Sequence, residues 1–575
     1  MAPSSHRKNN DGPLTTNRPG RGRVWTASLV DPAKPFVLAG IQRDVSRPML
    51  VIVASENRAR DLASQVAVWS ASPESVLHLP APEPLFYERL PSHPNTARAR
   101  LRALQSLANG TPSLVVIASV RALMRTVMSP TDFRALGRTI RSGDHLRPDD
   151  LVAGLLDLGY TSESLVEYPG TFSRRGGIVD VFPVDAEVPL RLDFFGDEID
   201  SIRQFDSSTQ RSRHHVNELS LSPSREIPLA TEHIVERLRS VDSHNLTESE
   251  AAQWERDLER LASGVAFDGM EFYAPYLAEA SVIDYLGNTG LIVIDEPSAV
   301  IGAAEELVTQ AEELRVELVK RGALPAGFRI AYLDWVALSK AIQPYDCLEW
   351  TWRDDGSERS QHGESTIGRL TDFHPVPSYA GQLHAALGDV SHWRQSGKTT
   401  LLVSQQTGRL AEVLAEQGMP VAVLSDVPEA PEPGALLLVH GGLAEGFAVS
   451  DGPNGGLAAL GDRELFGWTK PARTAPARRP SREAFLSDLT PGDYVVHIDH
   501  GIGRFVRMIR MASETGEREY LVLEYAAGDR LYVPTDQTDR VTRYVGAGDQ
   551  TPSLHRLGTT DWVRVRSRVK NAVRQ

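Results

Sequence analysis

The sequence predicts a multidomain α/β chain: a parallel-sheet domain interrupted by an α+β module, then a small α/β domain, then a small all-β barrel. Three observations carry that expectation. Apolar runs that end in a small residue and continue as a helix recur at 48–69, 112–128 and 291–322, the pattern of parallel strands covered on both faces. Between the second and third, residues 126–214 change to short strands separated by Pro/Gly turns, the texture of an antiparallel insertion. Residues 488–546 hold short apolar strands broken at Gly501, Gly503, Gly516 and Gly528, and glycine corners suit a strongly bent barrel. The length of 575 residues agrees, since at roughly 100 to 200 residues per domain it implies about three to five domains.

The elements follow in order. Residues 1–23, rich in Gly, Pro, Asn and Arg without a period, read as a disordered tail. Residues 24–125 and 215–350 read as two parts of one α/β domain: PMLVIVASENRARDLASQVAVW and LIVIDEPSAVIGAAEELVTQAEELRVELVKRG share the strand, small residue, helix grammar. The polar run TWRDDGSERSQHGEST opens a connector at 351–385, partly ordered near FHPVPSYAGQL. A small α/β domain spans 386–468, where TTLLVS, TGRLAEVLAEQG, PVAVLS and ALLLVHG alternate at close spacing. Prolines in KPARTAPARRPSR keep 469–487 extended as a linker. After the barrel, Trp562, Val565 and Val569 stripe one face of a basic helix in 547–575. That pattern runs to Gln575 without a cap, so a further domain is expected beyond it.

Composition excludes several classes of function. Lys plus Arg total 61 against 75 Asp plus Glu, a net charge of -14, which opposes wrapping of nucleic acid by the whole surface and leaves local basic patches open. The single cysteine, Cys347, permits neither an internal disulfide nor a thiolate metal cluster, so a reducing compartment, the cytoplasm, is expected. No apolar run approaches the roughly 18 residues a membrane span requires.

Catalytic motifs are incomplete. QSGKTTLLV at 395–403 contains the tail of a phosphate loop, but His392 stands where its first glycine belongs and a strand follows directly. Asp295 and Glu296 end a buried strand, as magnesium carboxylates of ATPases do; without a phosphate loop they read as two carboxylates at the end of a sheet. The pair His214 and His215, and His497 with His500, lack the converging third ligand of a zinc site. A recognition surface is the better reading. In PLRLDFFGDE, alternation puts Leu190, Leu192 and Phe194 on one face and Arg191, Asp193 and Phe195 on the other. If the first set is core, Phe195 stands exposed near Arg174, Arg175 and Arg191, the composition of an interface hot spot; the pattern equally allows Phe195 to pack under a helix.

PGTFSRRGGIVDVFPVDAEVPLRLDFFGDEIDSIRQFDSSTQRS (169–212) resembles a stretch shared by the excision-repair protein UvrB and the bacterial transcription-repair coupling factors (Mfd). PGDYVVHIDHGIGRFVRM, YLVLEYAAGDRLYVPTDQTDRVTRYVG and LHRLGTTDW resemble the polymerase-interacting domain of the coupling factors, itself similar to CarD-type transcription regulators. The resemblance implies a UvrB-like, degenerate RecA-type α/β domain with an inserted UvrA-binding α+β domain, a small α/β domain and an SH3/Tudor-like barrel that binds the RNA polymerase β subunit. It implies UvrA contacts at Arg175, Arg191 and Phe195. For the barrel, attachment through a strand edge is expected to involve Val506, Met508, Ile509 and Met511, which are more apolar than a solvated edge. No catalytic residue, cofactor or metal is expected in this piece. The family's ATP- and magnesium-dependent duplex-DNA translocase, acting upstream of stalled polymerase, is expected in a missing half. A UvrB-like ATPase-helicase would need an intact phosphate loop, and a free-standing CarD-like regulator a short basic partner domain; this sequence has neither.

Overall fold

The computed structural model describes residues 22–207, 210–264, 266–351, 366–369, 373–427, 431–449, 456–467, 492, 494–497, 501–513, 516–526, 529–534 and 541–543. Residues 1–21 of the tail expected at 1–23, the linker at 469–487 and the helix expected in 547–575 lie outside them; Gly22 and Arg23 are backbone-bonded to Gln343 and Cys347. The chain divides into two compact units, Met1–Thr469 and Lys470–Gln575.

A seven-stranded sheet organises the first unit, in the order Thr366–Arg369, Val24–Ser28, Asp346–Thr351, Leu291–Asp295, Met49–Val53, Val115–Ser119, Val76–Leu79. Every neighbouring pair is parallel. The apolar runs form these strands because both faces are covered: Leu50, Ile52, Val116 and Ile292 belong to one core cluster, while Val51, Val53, Val115 and Val293 belong to another. Two of the central strands hand over to helices through a serine cap: Ser55 accepts from the Arg58 amide at the start of Glu56–Trp69, and Ser119 from the Ala122 amide at the start of Val120–Leu123.

After Val115–Ser119 the chain leaves this sheet and builds a six-stranded one, in the order Ser212–Val216, Glu198–Phe205, Leu190–Phe195, Ile178–Phe182, Thr171–Arg175, Thr161–Ser162. It is antiparallel except at the last pair. One face packs on helix Pro148–Asp157 through Leu151 and Leu155 and joins the core of the first sheet. A two-stranded ribbon, Arg138–Arg141 with Glu218–Leu221, closes the neck, so the insertion runs on past 214 to Leu221.

The second α/β sheet has the order Phe373–Pro375, Phe447–Val449, Leu457–Leu460, Thr399–Ser404, Leu436–His440, Val423–Leu424. Leu402, Leu438, Ala458 and Leu460 face its own helices. Leu401, Val403, Val439 and Ala459 join the core of the first sheet instead, where Phe36, Trp69, Phe373 and Phe447 cluster at ring separations of 5.2 to 6.3 Å. Part of the stretch read as a connector is sheet: Thr366–Arg369 edges the first sheet and Phe373–Pro375 the second. Both strands are short and held by backbone pairing at a sheet edge, so they leave no apolar period to read; Phe373–Pro375 falls where the sequence implied order, and Thr366–Arg369 where it did not.

The second unit is a five-stranded antiparallel sheet in the order Arg530–Pro534, Gly516–Glu524, Gly501–Ser513, Tyr494–His497, Val541–Arg543. Val495, Phe505, Leu521, Leu523, Tyr525 and Val533 form its core. Gly503 is required by close approach: a Cβ there would sit 3.0 Å from two ring carbons of Tyr525.

Candidate protein-interaction sites

The RLDFF strand alternates as its pattern implies. Leu190 and Leu192 are buried, Phe194 is half-buried against the same core, and Phe195 is 82% exposed. Thr171–Arg175 and Ile178–Phe182 form a hairpin whose glycine turn, with Gly176 at φ 61°, lies beside this strand: the Phe194 amide donates to the Gly177 carbonyl at 2.8 Å. Register places Arg175, Ile178, Asp193 and Ser201 in one row across the sheet, so Arg175 shares the outer face with Phe195. Arg175 is exposed and reaches the Ser164 carbonyl at 2.6 Å.

The three arginines do not form one free patch. Arg174 alternates to the inner side and pairs with Asp149 of helix Pro148–Asp157. Arg191 is on the outer face, but Asp180 stands directly opposite it and takes both ends of its fork, at 2.7 and 2.8 Å. Asp180 is buried, and the guanidinium lies 4.8 Å from the ring centroid of Phe205. The bonds to Asp180 outweigh the cost of burial and hold the Arg191 guanidinium above its ordinary range. Arg203 pairs with Asp193, which also accepts from Ser201 at 3.1 Å. Phe195 and Arg175 are thus available, whereas Arg191 is pinned. Alternation along one strand identified the face; the partner Asp180, eleven residues away, is fixed by register.

In the second unit, Gly501–Ser513 lies inside the sheet at its start and at its margin later. Tyr494–His497 pairs with it only from Gly501 to Arg504, while Gly516–Glu524 accompanies it to Ser513. The register shifts between Phe505 and Arg507, which puts a bulge at Val506. Among the described residues, no strand pairs with the other side of this one beyond that bulge. Met508 is 41% exposed there, and Val506 and Ile509 are half-buried. Met511 lies on the same strand, and its side chain falls outside the described residues.

Asp295 and Glu296 meet a cation from their own chain. Lys34, fully buried at the start of helix Lys34–Asp44, places its ammonium 2.6 Å from Asp295, 2.8 Å from Glu296 and 2.6 Å from Asp31. Arg58 adds a bond of 3.0 Å to Asp295. Burial opposes the charge on Lys34, but Asp295, with hydrogen bonds to Asp31 and Glu296, outweighs it and holds the amine above the usual lysine range. Asp31, Asp295 and Glu296 are a carboxylate group close enough to hold a metal ion, and Lys34 bonds to all three. Sequence reasoning missed Lys34 because one lysine ahead of an apolar run carries no periodic signal. The GKTT stretch enters strand Thr399–Ser404 directly: the Gly397 and Lys398 amides donate to the Arg394 and Trp393 carbonyls of the preceding helix, and the Thr399 and Thr400 amides to the Gly456 and Ala435 carbonyls beside the strand, so none is left to wrap a phosphate.

Residues 139–227 match the family model described as the UvrB interaction domain, and 489–545 match the CarD-like/TRCF RID domain. The transcription-repair-coupling factor of Bacillus subtilis is 28% identical over 565 residues, covering 95% of this chain and 47% of that protein. Those of Mycobacterium bovis and Myxococcus xanthus are each 31% identical, covering 96% and 95% of this chain and 47% and 48% of theirs. The chain is homologous to the amino-terminal half of the bacterial transcription-repair-coupling factors. It spans about half the length of these relatives. Both segments matched by family models are interaction modules rather than catalytic ones. The first covers the Arg175, Arg191 and Phe195 face; the second covers the strand from Gly501 to Ser513. No helix among the described residues is long and apolar enough to cross a membrane.

Proposed function

We propose that this chain serves transcription-coupled DNA repair as an adaptor with two handles. The inserted sheet presents Phe195, Arg175 and the remaining donors of Arg191, itself held in place by Asp180, to UvrA, and the second unit attaches to the RNA polymerase β subunit along the strand margin at Val506, Met508, Ile509 and Met511. The carrying observation is Phe195, a phenylalanine 82% exposed in the segment that matches the UvrB interaction domain. Single exposed apolar side chains are ordinary on protein surfaces; what marks Phe195 is an aromatic on the same outer face as the exposed Arg175, the composition of an interface hot spot.

The finer fold assignments belong to the same reading: the seven-stranded sheet as a degenerate RecA-type domain and the five-stranded sheet as an SH3/Tudor-like barrel. The whole protein is then a duplex-DNA translocase driven by ATP and magnesium that acts upstream of a stalled polymerase, with its motor in the part of the longer relatives that this chain does not span. Sheet augmentation at the Gly501–Ser513 margin supplies backbone bonds of low sequence specificity, and the side chains at 506–511 supply selectivity.

Calorimetric titration of UvrA into the chain tests the first handle, and retention of the polymerase β subunit on the immobilised chain tests the second. Phe195→Ala should weaken UvrA binding about 10- to 1,000-fold, the range for hot-spot truncation, with β retention unchanged. Met508→Asp should do the reverse. Unaltered UvrA affinity in Phe195→Ala would move that handle elsewhere.

A further inference from the structure

Strand connections locate a crevice in the seven-stranded sheet. From Met49–Val53 the chain crosses toward Val76–Leu79, whereas from Leu291–Asp295 it crosses the opposite way, toward Asp346–Thr351. Those two starting strands are neighbours. Helices that leave adjacent parallel strands in opposite directions open a cleft at the carboxyl ends, the place where doubly wound sheets bind nucleotides and metals. Asp295 ends one of these strands, and Arg58 begins the helix after the other.

In this chain the cleft is filled from within. Lys34 has no exposed surface, and its ammonium contacts Asp31, Asp295 and Glu296 at 2.6 to 2.8 Å. Arg58 caps the same carboxylates, 3.0 Å from Asp295 and 3.3 Å from Asp31. Glu296 adopts φ 56°, a left-handed conformation rare for a side-chain-bearing residue, as it turns from strand Leu291–Asp295 into helix Pro297–Lys320. Asp295 is buried, whereas Asp31 and Glu296 keep 45% and 36% of their side-chain surface; three like charges with oxygens within 4.8 Å of one another repel and favour a cation between them. A divalent ion is the usual solution for oxygen ligands; an ammonium donating three hydrogen bonds is another.

We propose that Lys34 is a built-in cation that replaces a divalent metal at the switch point of this sheet, and that removing its ammonium converts Asp31, Asp295 and Glu296 into a divalent-cation site. Lys34 joins the segment after Val24–Ser28 to the end of Leu291–Asp295, and Arg58 adds the segment after Met49–Val53, so the two cations provide the closure that a nucleotide-bound metal would otherwise supply. The lobe is thereby held in one state, independent of nucleotide.

The test uses the whole chain as wild type, Lys34→Ala, Lys34→Met and Lys34→Ala/Asp295→Asn. Thermal melts are recorded in EDTA and in millimolar Mn²⁺, and Mn²⁺ uptake is followed by electron paramagnetic resonance. Wild type should melt identically in both and take up no stoichiometric Mn²⁺. Lys34→Ala and Lys34→Met should melt lower in EDTA, recover in Mn²⁺, and bind Mn²⁺ at least about ten-fold tighter than wild type, as expected when carboxylate ligands become free. The double variant should melt low without recovery. Stoichiometric Mn²⁺ on wild type overturns the proposal, as does a folded Lys34→Met chain that binds none. If both single variants are insoluble in Mn²⁺ as well as in EDTA, the carboxylates do not accept a metal in place of the ammonium, and the proposal fails.

Discussion

Truncating four side chains on and beside one strand separates binding from stability. Phe195 is 82% exposed, so Phe195→Ala should change local stability by no more than about 0.5 kcal/mol, roughly a two-fold change in amide protection. Phe194 is half-buried against Leu190 and Leu192. Full burial would cost about 3 to 5 kcal/mol on truncation; half of that, about 2 kcal/mol, lowers protection about 30-fold. For Arg191, the loss leaves Asp180 buried without its two charge-assisted bonds. Breaking a buried pair costs about 3 to 5 kcal/mol, and because the Arg191 side chain keeps 18% exposure the lower end, about 3 kcal/mol or roughly 150-fold in protection, applies. Arg175, which is exposed, should behave like Phe195. Hydrogen–deuterium exchange over peptides covering 178–205, read beside UvrA calorimetry, is the assay. Phe195→Ala and Arg175→Ala should lose affinity at nearly wild-type protection; Arg191→Ala should lose both. Strong deprotection in Phe195→Ala with none in Phe194→Ala would refute the strand phase, and intact protection in Arg191→Ala would refute the structural part assigned to its pair with Asp180.

Three further outcomes follow from packing and charge. Burial raises the Glu56 carboxyl, but hydrogen bonds from His78, the Ala81 amide and Ser119 outweigh it, so its folded value lies below the ordinary one. Its stabilisation is therefore complete above the unfolded value near 4.5 and lost as pH falls through the lower folded value; Glu56→Gln should flatten the acid limb of the melting curve below that unfolded value, and an unchanged limb would count against it. Excising 373–467 uncovers Leu401, Val403, Val439 and Phe447, which pack on the first sheet, so that fragment should bind a hydrophobic dye strongly while the longer piece 22–467 does not. Gly503→Ala forces a methyl to 3.0 Å from the Tyr525 ring and should destabilise the second unit by about 1 to 3 kcal/mol, seen as an earlier unfolding of its NMR resonances.

The architecture was legible wherever burial writes a period into the sequence. Continuous apolar runs marked Met49–Val53, Val115–Ser119 and Leu291–Asp295 because both their faces are covered. Alternation marked Leu190–Phe195 because one face is covered. Thr366–Arg369 and Phe373–Pro375 left no such trace: each completes a sheet edge, where the stabilising bonds come from the backbone and are blind to composition. The docking of the two α/β sheets was equally hidden, since Leu401 and Leu402 look alike as letters although they face different cores.

Charged residues in the candidate sites show why side-chain partners are harder to read than faces. Strand alternation places Arg191 beside Phe195 and the PGTFSRRGG loop brings Arg175 near it, but neither pattern shows that Asp180 claims the first and leaves the second exposed. That pinning alters what Arg191 can contribute to a partner. Two of its five N–H groups are committed to Asp180, and a third makes only a long contact of 3.4 Å to the Gln210 carbonyl. The remaining donors are held in a fixed plane before any partner arrives, so little rotamer entropy remains to be lost on binding. Lysine would keep the charge but not the fork, and could not hold Asp180 at both oxygens while presenting further donors. Arg191→Lys should therefore retain most of the fold's amide protection while still weakening UvrA binding, whereas a role confined to stability would leave that affinity at the wild-type value once protection is restored.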